Sequence, residues 1–493
     1  MLLQNVDVLI LCHSIISMRR AGPHRIATEL RKNGYSCQII DCCWYFDQDE
    51  VKQILDTCIG PNTKVVAWSS PYATLPAREQ GAAGVLEYFK IQKHEKFVIS
   101  YATNLNSKIK FAVGGPTSYI RQKETGIDAI FYGMCDMAFV QYLKFLEGKN
   151  PFFQYTVQED KMIVQGDTYN VSWNFNDSVI EYRPEDNLFW GDAVSIEIAR
   201  GCIFKCDFCA YPLNGKKNND YIKYQQTLKQ EFLTNYEQHG ITTYIASDDT
   251  FNDNIVKLQM LADIAQSLPF ALSINCYLRI DLLRARPEQY VLLKDIGLTG
   301  AHFGIESFNN ASAKSIGKGL HPDKVIEELY RFDDSMPQCG TMGSFIVGLP
   351  HETKDTIIQS TEQILQPDFP LDNIYLSALV INPKRGVYLS EFEKNTAKYF
   401  QTRDSNPAWW HNGHFDAYWA ADFSADFNSK VQTRQRVGGF QVATLHNYRN
   451  DPMRPLMNRG SLAKMPLSKV TPPRPSQIMK LQQYKKKLFD SIQ

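Results

Sequence analysis

The chain reads as an α/β protein in three parts: an N-terminal doubly wound parallel sheet, a central partial (β/α)6 barrel and a mainly helical C-terminal region. Two runs of strand–helix alternation carry this reading, one within residues 1–150 and a second starting at Ala193. Alternation of this kind argues for parallel sheets covered by helices. The third observation is where the pattern fails. Residues 151–190 are polar, aromatic and short-patterned, and periodicity weakens past Lys394. The expected divisions are therefore 1–150, a hairpin-bearing linker 151–190, a core 191–398 and a C-terminal region 399–493. At roughly 150 residues per domain, a chain of 493 residues has room for two to four.

In the first run, strands are expected at Val6–Cys12, Cys37–Asp41, Lys64–Ser69, Ile109–Val113 and Asp128–Tyr132. Helical patterns at Pro23–Lys32, Gln48–Cys58, Pro76–Gln92 and Asp136–Leu146 lie between and after them. Gly114-Gly115-Pro116 follows its strand at once, where backbone can approach a ligand closely. A turn or packing role explains these glycines equally. In the second run, strands are expected at Ala193–Ala199, Thr243–Ser247, Ala271–Cys276, Gly300–Gly304, Gly343–Val347 and Ile374–Leu379. The intervening helices fit Tyr224–His239, Asn254–Leu268, Pro287–Ile296, Pro322–Met336 and Lys354–Leu365. Such a barrel works at its strand C-termini. Trp409, Trp410, His411, His414 and Trp419 cluster beyond it, as packing residues or as a substrate cover.

Formal net charge is zero, so nothing global steers the chain toward nucleic acid or an anionic membrane. From Pro452 to Lys487, however, there are nine Lys or Arg residues and no acid. That tail is read as a solvated surface helix with its linker, or as a weak basic binding patch. The opening MLLQNVDVLILCH contains an acid and no basic n-region, so it reads as a first strand rather than a signal peptide. No apolar run approaches the ~18 residues of a membrane span. The eleven cysteines, an odd number, then fit reduced thiols in a cytoplasmic setting.

Three of those cysteines carry the chemistry. Arg200-Gly-Cys202-Ile-Phe-Lys-Cys206-Asp-Phe-Cys209 follows a predicted strand directly. Three thiolates within eight residues can converge on one soft-metal centre. A structural zinc site wants four closed ligands, and no nearby Cys or His completes the set. A [4Fe–4S] cluster held by three cysteines leaves one iron open instead. Phe204 and Phe208 would wall it from water. The bland reading is three buried or zinc-binding cysteines.

This CxxxCxxC spacing, with an aromatic before the last cysteine, resembles the radical S-adenosylmethionine (SAM) superfamily, and further segments resemble its branch with an N-terminal cobalamin-binding-like domain. Ser247-Asp248-Asp249-Thr250-Phe251 is similar to the acidic turn after that branch's second barrel strand, and Arg279-Ile280-Asp281 to its third-strand segment. Phe303-Gly304-Ile305-Glu306-Ser307 with Ile316-Gly317-Lys318-Gly319 resembles its fourth-strand signature. Phe345-Ile346-Val347-Gly348-Leu349-Pro350-His351-Glu352-Thr353 resembles its glycine-rich fifth-strand turn, and Ile381-Asn382-Pro383 the turn after its sixth. These cover Val194 to about Asn395 in the expected order.

The resemblance implies an open iron that chelates SAM, one-electron cleavage to a 5′-deoxyadenosyl radical, and cobalamin-dependent methyl transfer to an unactivated carbon. It implies an electron donor such as a flavodoxin or ferredoxin, and a substrate that stays unnamed. Asp248 and Asp249 would meet the SAM amino group, or else cap the next helix. Glu306 and Ser307 would bind ribose hydroxyls or the amino group, with a salt bridge as the other role for Glu306. Arg279 would pair with the SAM carboxylate, or with an internal acid such as Glu306. Ile346 and Gly348 would contact adenine, although turn chemistry also explains Gly348. Gly114 and Gly115 would approach cobalamin. No D-x-H-x-x-G loop offers cobalt a histidine, and neither His13 nor His24 has that setting. Other readings are radical cyclisation, rearrangement or oxidation beside a vestigial first domain, a methylthiotransferase, and a non-catalytic metal-binding interaction protein.

Overall fold

The computed structural model describes residues 2–12, 19–69, 81–115, 118, 125–149, 154–166, 173–211, 218–366, 369–381, 389–403, 406–435 and 475–490. For 81–92, 406–408, 429–435 and 475–478 only the backbone is described. His13, Pro116, Asn382 and Pro383, and most of the basic tail, lie outside these residues. Contacts divide the chain into two units. One is Met1–Ser195 with Thr234–Ile241 and Arg474–Gln493; the other is Ile196–Leu233 with Thr242–Pro473.

Strands β1 (Val8–Cys12), β2 (Cys37–Ile40), β3 (Val65–Ser69), β4 (Lys110–Gly114), β5 (Ala129–Tyr132), β6 (Tyr155–Gln158) and β7 (Lys161–Gln165) form the first unit's sheet, ordered β2-β1-β3-β4-β5-β7-β6. All pairings are parallel except the β6–β7 hairpin, which falls within the segment expected to carry one. Helices α1 (Ala21–Lys32) and α4 (Asp136–Leu146) share one core with Val8, Ile10, Ile39, Val65 and Phe131. Leu9, Leu11, Val66 and Trp68 alternate with those residues and are buried too. Burial on both faces is why these strands read as unbroken apolar runs. Helices α2 (Gln48–Cys58) and α3 (Gly81–Leu105) pack on each other. Asp47 starts α2 with a capping box completed by Glu50.

One expectation is corrected here: the helix placed at Pro76–Gln92 runs on to Leu105. The polar run Lys93–Lys96 hides the continuation, yet Glu95, Val98 and Ala102 are buried at helical spacing.

The second unit holds β8 (Val194–Ile196, its start shared with the first), β9 (Thr243–Ala246), β10 (Ser273–Leu278), β11 (Leu298–Glu306), β12 (Gly340–Val347) and β13 (Asn373–Ala378). They lie side by side in chain order, and the pairings from β9 to β13 are parallel. Between them in the chain come α5 (Gln225–His239, assigned to the first unit from Thr234 on), α6 (Ile255–Ser267), α7 (Ile280–Ala285), α8 (Gln289–Ile296), α9 (Asn310–Ser315), α10 (Pro322–Ser335) and α11 (Lys354–Ile364). This is a six-strand partial barrel, as expected. Short helices α12 (Glu391–Lys394) and α13 (Thr396–Tyr399) lead to a ribbon of β14 (Gln401–Arg403) and β15 (Asn406–His411), then α14 (Ala417–Gln435). On α14, the Asn428 amide donates to the Leu376 carbonyl at 2.7 Å and accepts its N–H at 2.9 Å. A side chain thus satisfies the edge of β13 as another strand would.

The last helix, α15 (Pro475–Phe489), belongs to the first unit. The helix keeps a solvated face, with Lys486 exposed and paired with Asp490 just past its end, but three of its lysines also reach other parts of the unit. Lys480 pairs with buried Asp192, Lys485 with Glu50 at 2.6 Å, and Lys487 donates to the Leu188 carbonyl. Tyr484 is fully buried, accepts the Asp41 N–H at 3.0 Å and lies under the Arg19 guanidinium.

Candidate active site

β8 feeds a loop that carries Cys202, Cys206 and Cys209; Cys202 is buried and the others are half-buried. Asp248, just past β9, fixes that loop. One of its oxygens accepts the N–H groups of Ile198 (3.1 Å) and Ala199 (3.0 Å), and the other takes the Lys257 ammonium at 3.0 Å. Lys257 also pairs with Asp253 at 2.7 Å, and Asp253 accepts the Tyr221 hydroxyl. Glu197 and Arg200 form a buried pair within the loop. Asp248 is therefore engaged by protein on both oxygens, while Asp249 beside it is exposed. Packing around Asp249, then the negative charges of Asp248 and Asp253, raises its carboxyl to about 7 although it meets solvent.

The sulfurs have polar company. The Thr250 hydroxyl lies 3.3 Å from Cys202 Sγ, and the Phe204 N–H donates to the same sulfur at 3.4 Å. Arg279 Nη1 donates to Cys206 Sγ at 3.5 Å, with its guanidinium 3.8 Å above the Phe204 ring. Burial raises the Cys202 thiol, and the Thr250 and Phe204 hydrogen bonds oppose that rise. Among the described residues, no three Cys, His, Asp or Glu side chains close on a single ion. Three soft donors on one loop, supported by hydrogen-bond donors and a guanidinium, fit a thiolate-held cluster in donor chemistry. Phe208 is half-buried on the same loop.

The neighbouring strand ends bring the other candidates. Arg279 follows β10 and makes a bidentate pair with Asp281 (3.0 and 2.6 Å), so its internal acid is Asp281 rather than Glu306. Buried Asn252 clamps Arg279, accepting its N–H at 2.8 Å and donating to its carbonyl at 3.0 Å. Glu306 ends β11 at a register shift, with left-handed backbone (φ 71°). Such backbone is costly for a residue with a Cβ and persists only where its surroundings enforce it. Lys318 helps enforce it, lying 3.7 Å from the Glu306 carboxylate and donating to the Gly304 carbonyl at 2.7 Å. A Cβ on Gly304 would sit 2.6 Å from that carboxylate as it stands. Burial raises the Glu306 carboxyl, and Lys318 and Arg279 pull it back.

Ser307 and Gly348 meet through Glu352, a residue of the fifth-strand turn to which the sequence alone assigns no role. One Glu352 oxygen accepts the Ser307 hydroxyl at 2.7 Å; the other accepts the N–H groups of Gly348 (2.8 Å) and Leu349 (3.0 Å). Burial raises this carboxyl to about 7 against those three hydrogen bonds. A signal existed, because a Gly-Leu-Pro turn leaves two N–H groups needing an acceptor. Gly348 has φ +117°, and a Cβ there would meet the Trp410 ring at 2.1 Å. Trp410 itself is fully buried and donates to the Leu379 carbonyl, so it is packing rather than entrance. Ile346 is half-buried in β12.

In the first unit, Gly114 ends β4 and Gly115 follows it; both are half-buried, and Gly115 has φ 130°. His24 is fully buried elsewhere in this unit. Its nitrogens lie 3.6 Å from Asp41 and 3.9 Å from Asp186, and its ring contacts Tyr182.

Residues 196–364 match the Radical SAM superfamily. Over 196 residues the chain is 26% identical to an uncharacterized methyltransferase of Pyrococcus horikoshii, covering 39% of this chain and 40% of that protein. The chain thus spans well under half the length of that curated relative. Among solved structures, it is similar to the radical SAM methyltransferase TsrM from Kitasatospora setae, with tryptophan substrate and a SAM analogue bound. The TM-score is 0.61 at 15% identity, over 81% of this chain and 79% of that one. It is also similar to the cobalamin-dependent SAM radical enzyme OxsB with aqua-cobalamin bound, with TM-score 0.52 at 16% identity over 74% and 52% of the two chains.

Proposed function

We propose, from the match of residues 196–364 to the Radical SAM superfamily, an enzyme that cleaves SAM reductively and transfers a methyl group to an unactivated carbon with the help of cobalamin. The observation that carries it is the three-cysteine loop, held by Asp248 at the strand ends of a six-strand parallel sheet. When bound there, a [4Fe–4S] cluster with one open iron supplies the chelation of SAM and the electron for its cleavage.

The protein's part is placement. Cys202, Cys206 and Cys209 hold the cluster, Arg279 lies against one sulfur, and Phe204 and Phe208 exclude water. Asp249 accepts hydrogen bonds from the SAM amino group, because Asp248 beside it is consumed by Lys257 and the loop. Glu306 and Ser307 bind the ribose side, and Ile346 and Gly348 offer backbone to adenine. Glu352 ties those two strand ends together. Gly114 and Gly115 let backbone approach cobalamin at the β4 end without a histidine on cobalt, and a flavodoxin or ferredoxin supplies electrons. The structures similar to this one include enzymes that bind tryptophan, a SAM analogue or cobalamin, which supports this reading over a radical enzyme with a vestigial first domain.

The test is anaerobic purification with cobalamin supplied, followed by absorbance spectra and incubation with SAM and reductant. Retained cobalamin and consumption of SAM are expected. A chain that consumes SAM but never retains cobalamin returns the reaction to cyclisation, rearrangement or oxidation.

A further inference from the structure

The parallel sheet of the second unit has two unlike faces. On one, Tyr244 packs on Phe232 of α5 and Phe303 on Phe332 of α10, so that face carries the helices. Alternate positions along the same strands lie on the other face. Tyr277 and His302 are register partners there, with ring centroids 4.8 Å apart. Glu306 reaches this inner face too, because its carboxylate lies where a Cβ of Gly304 would point. Tyr277, Ser344, Ile346 and Tyr375 on the inner face are half-buried, whereas their chain neighbours on the helix-covered face are buried. Solvent therefore reaches the inside of the sheet, and the lumen is open.

Two residues before Tyr277 on β10, and on the same face, is Asn275. It is fully buried, and among the described residues neither its amide oxygen nor its amide nitrogen has a hydrogen-bond partner. An unpaired buried amide is costly, and native structures hold few. Its register partner on β11 is Gly300, whose own partner on β12 is Gly340, so neither strand sets a side chain beside the amide. Charge is absent as well. Among the residues of β9 to β13, Glu306 is the only acid, and no Lys or Arg occurs. His302 is neutral, because burial holds its imidazole down at about 3.

We propose that Asn275 is a recognition point for the substrate, and that the end it receives is an uncharged planar ring with hydrogen-bond donor and acceptor side by side, as in a lactam. This rests on reading the barrel as a SAM-cleaving active site. A carboxamide offers an acceptor and two donors in one plane, so it meets a lactam edge with two hydrogen bonds. Tyr277 and His302 supply ring faces next to it. A charged end would be buried without a partner, which costs far more than an unpaired amide. Arg279 lies four residues further along the chain, about 13 Å at strand rise. The substrate is therefore elongated, with its anchored ring and its reacting carbon at opposite ends.

The probes are 2-pyridone, which carries donor and acceptor side by side, N-methyl-2-pyridone, which lacks the donor, and benzoate, which is charged. Each is titrated into the reconstituted full chain and followed by saturation-transfer NMR. 2-Pyridone should bind about tenfold more tightly than N-methyl-2-pyridone, the worth of one buried hydrogen bond, and benzoate should show no saturable binding. Asn275→Val should erase that preference. It should not lower the stability of the ligand-free chain in denaturant, because the amide it removes has no partner there. A wild-type crystal soaked with 2-pyridone carries the test if Asn275→Val does not fold, and should place the ring edge on the Asn275 amide. Four results would each overturn the proposal: 2-pyridone that binds no better than the other probes, a preference that survives Asn275→Val, a ligand-free Asn275→Val chain of lower stability, or a soaked crystal with water alone on the amide. SAM consumption is read separately. A chain that consumes SAM without preferring 2-pyridone loses this subsite and keeps the proposed reaction, and one that prefers 2-pyridone but consumes no SAM does the reverse.

Discussion

At the scale of single residues, the site is built from buried carboxylates doing different work. Glu306 sits on strained backbone at a strand end with one lysine nearby. Replacing it with Gln keeps the shape and removes the charge. SAM affinity should then fall by about 1.5–3 kcal/mol, the worth of a charge-assisted contact, while the cluster still assembles. Equilibrium binding by the reconstituted variant measures this, and unchanged affinity would make Glu306 structural. Asp248 should behave otherwise. Asp248→Asn leaves Lys257 buried with only Asp253 as a full partner. A loss of about 3 kcal/mol of stability and poorer iron retention are expected, read by denaturant unfolding and iron analysis.

Glu352 adds a pH dependence. Its carboxyl is raised to about 7 in the folded chain, above its ordinary value of 4.5. Between those values the folded state binds more protons than the unfolded, so this group's contribution to stability grows as pH falls from about 8 to 5 and is lost as pH rises through 7. Glu352→Gln lacks that dependence. The stability difference between wild type and variant should therefore shift toward the wild type at lower pH. A difference that is flat with pH would show that Glu352 is ionised throughout.

At the scale of elements, the sequence was readable where partners are close along the chain. Strand–helix alternation located the sheets, and the spacing of Cys202, Cys206 and Cys209 singled out their loop. Asp248 and Asp249 are adjacent and chemically identical, so no local pattern could say which is engaged by protein. That was decided by Lys257 on α6 and by two N–H groups about fifty residues away. The basic tail shows the same limit. Its charges were plain, but Asp192 and Glu50, which receive them, lie hundreds of residues earlier. Tyr484→Phe tests how firmly α15 is seated. It deprives the Asp41 N–H of its acceptor in a fully buried place and should cost about 1–3 kcal/mol in an unfolding titration. A neutral result would mean α15 docks through its lysines alone.

At the scale of the whole molecule, one unit is a largely parallel sheet with Gly114 at the end of β4 and Gly115 after it, and the other is a partial barrel that presents three cysteines. Gly115→Val should weaken cobalamin retention, because a β-branched residue is strained at φ 130°, while iron loading stays as in the wild type. The proposed SAM cleavage depends on the cluster being there. The most direct measurement is metal analysis of the anaerobically reconstituted chain, wild type beside Cys206→Ala, with an assay for 5′-deoxyadenosine after reduction in the presence of SAM. About four irons per chain in the wild type, with loss of the cluster absorbance and of SAM cleavage in the variant, is the predicted result. Stoichiometric zinc with no iron uptake, or SAM cleavage that survives Cys206→Ala, would contradict it.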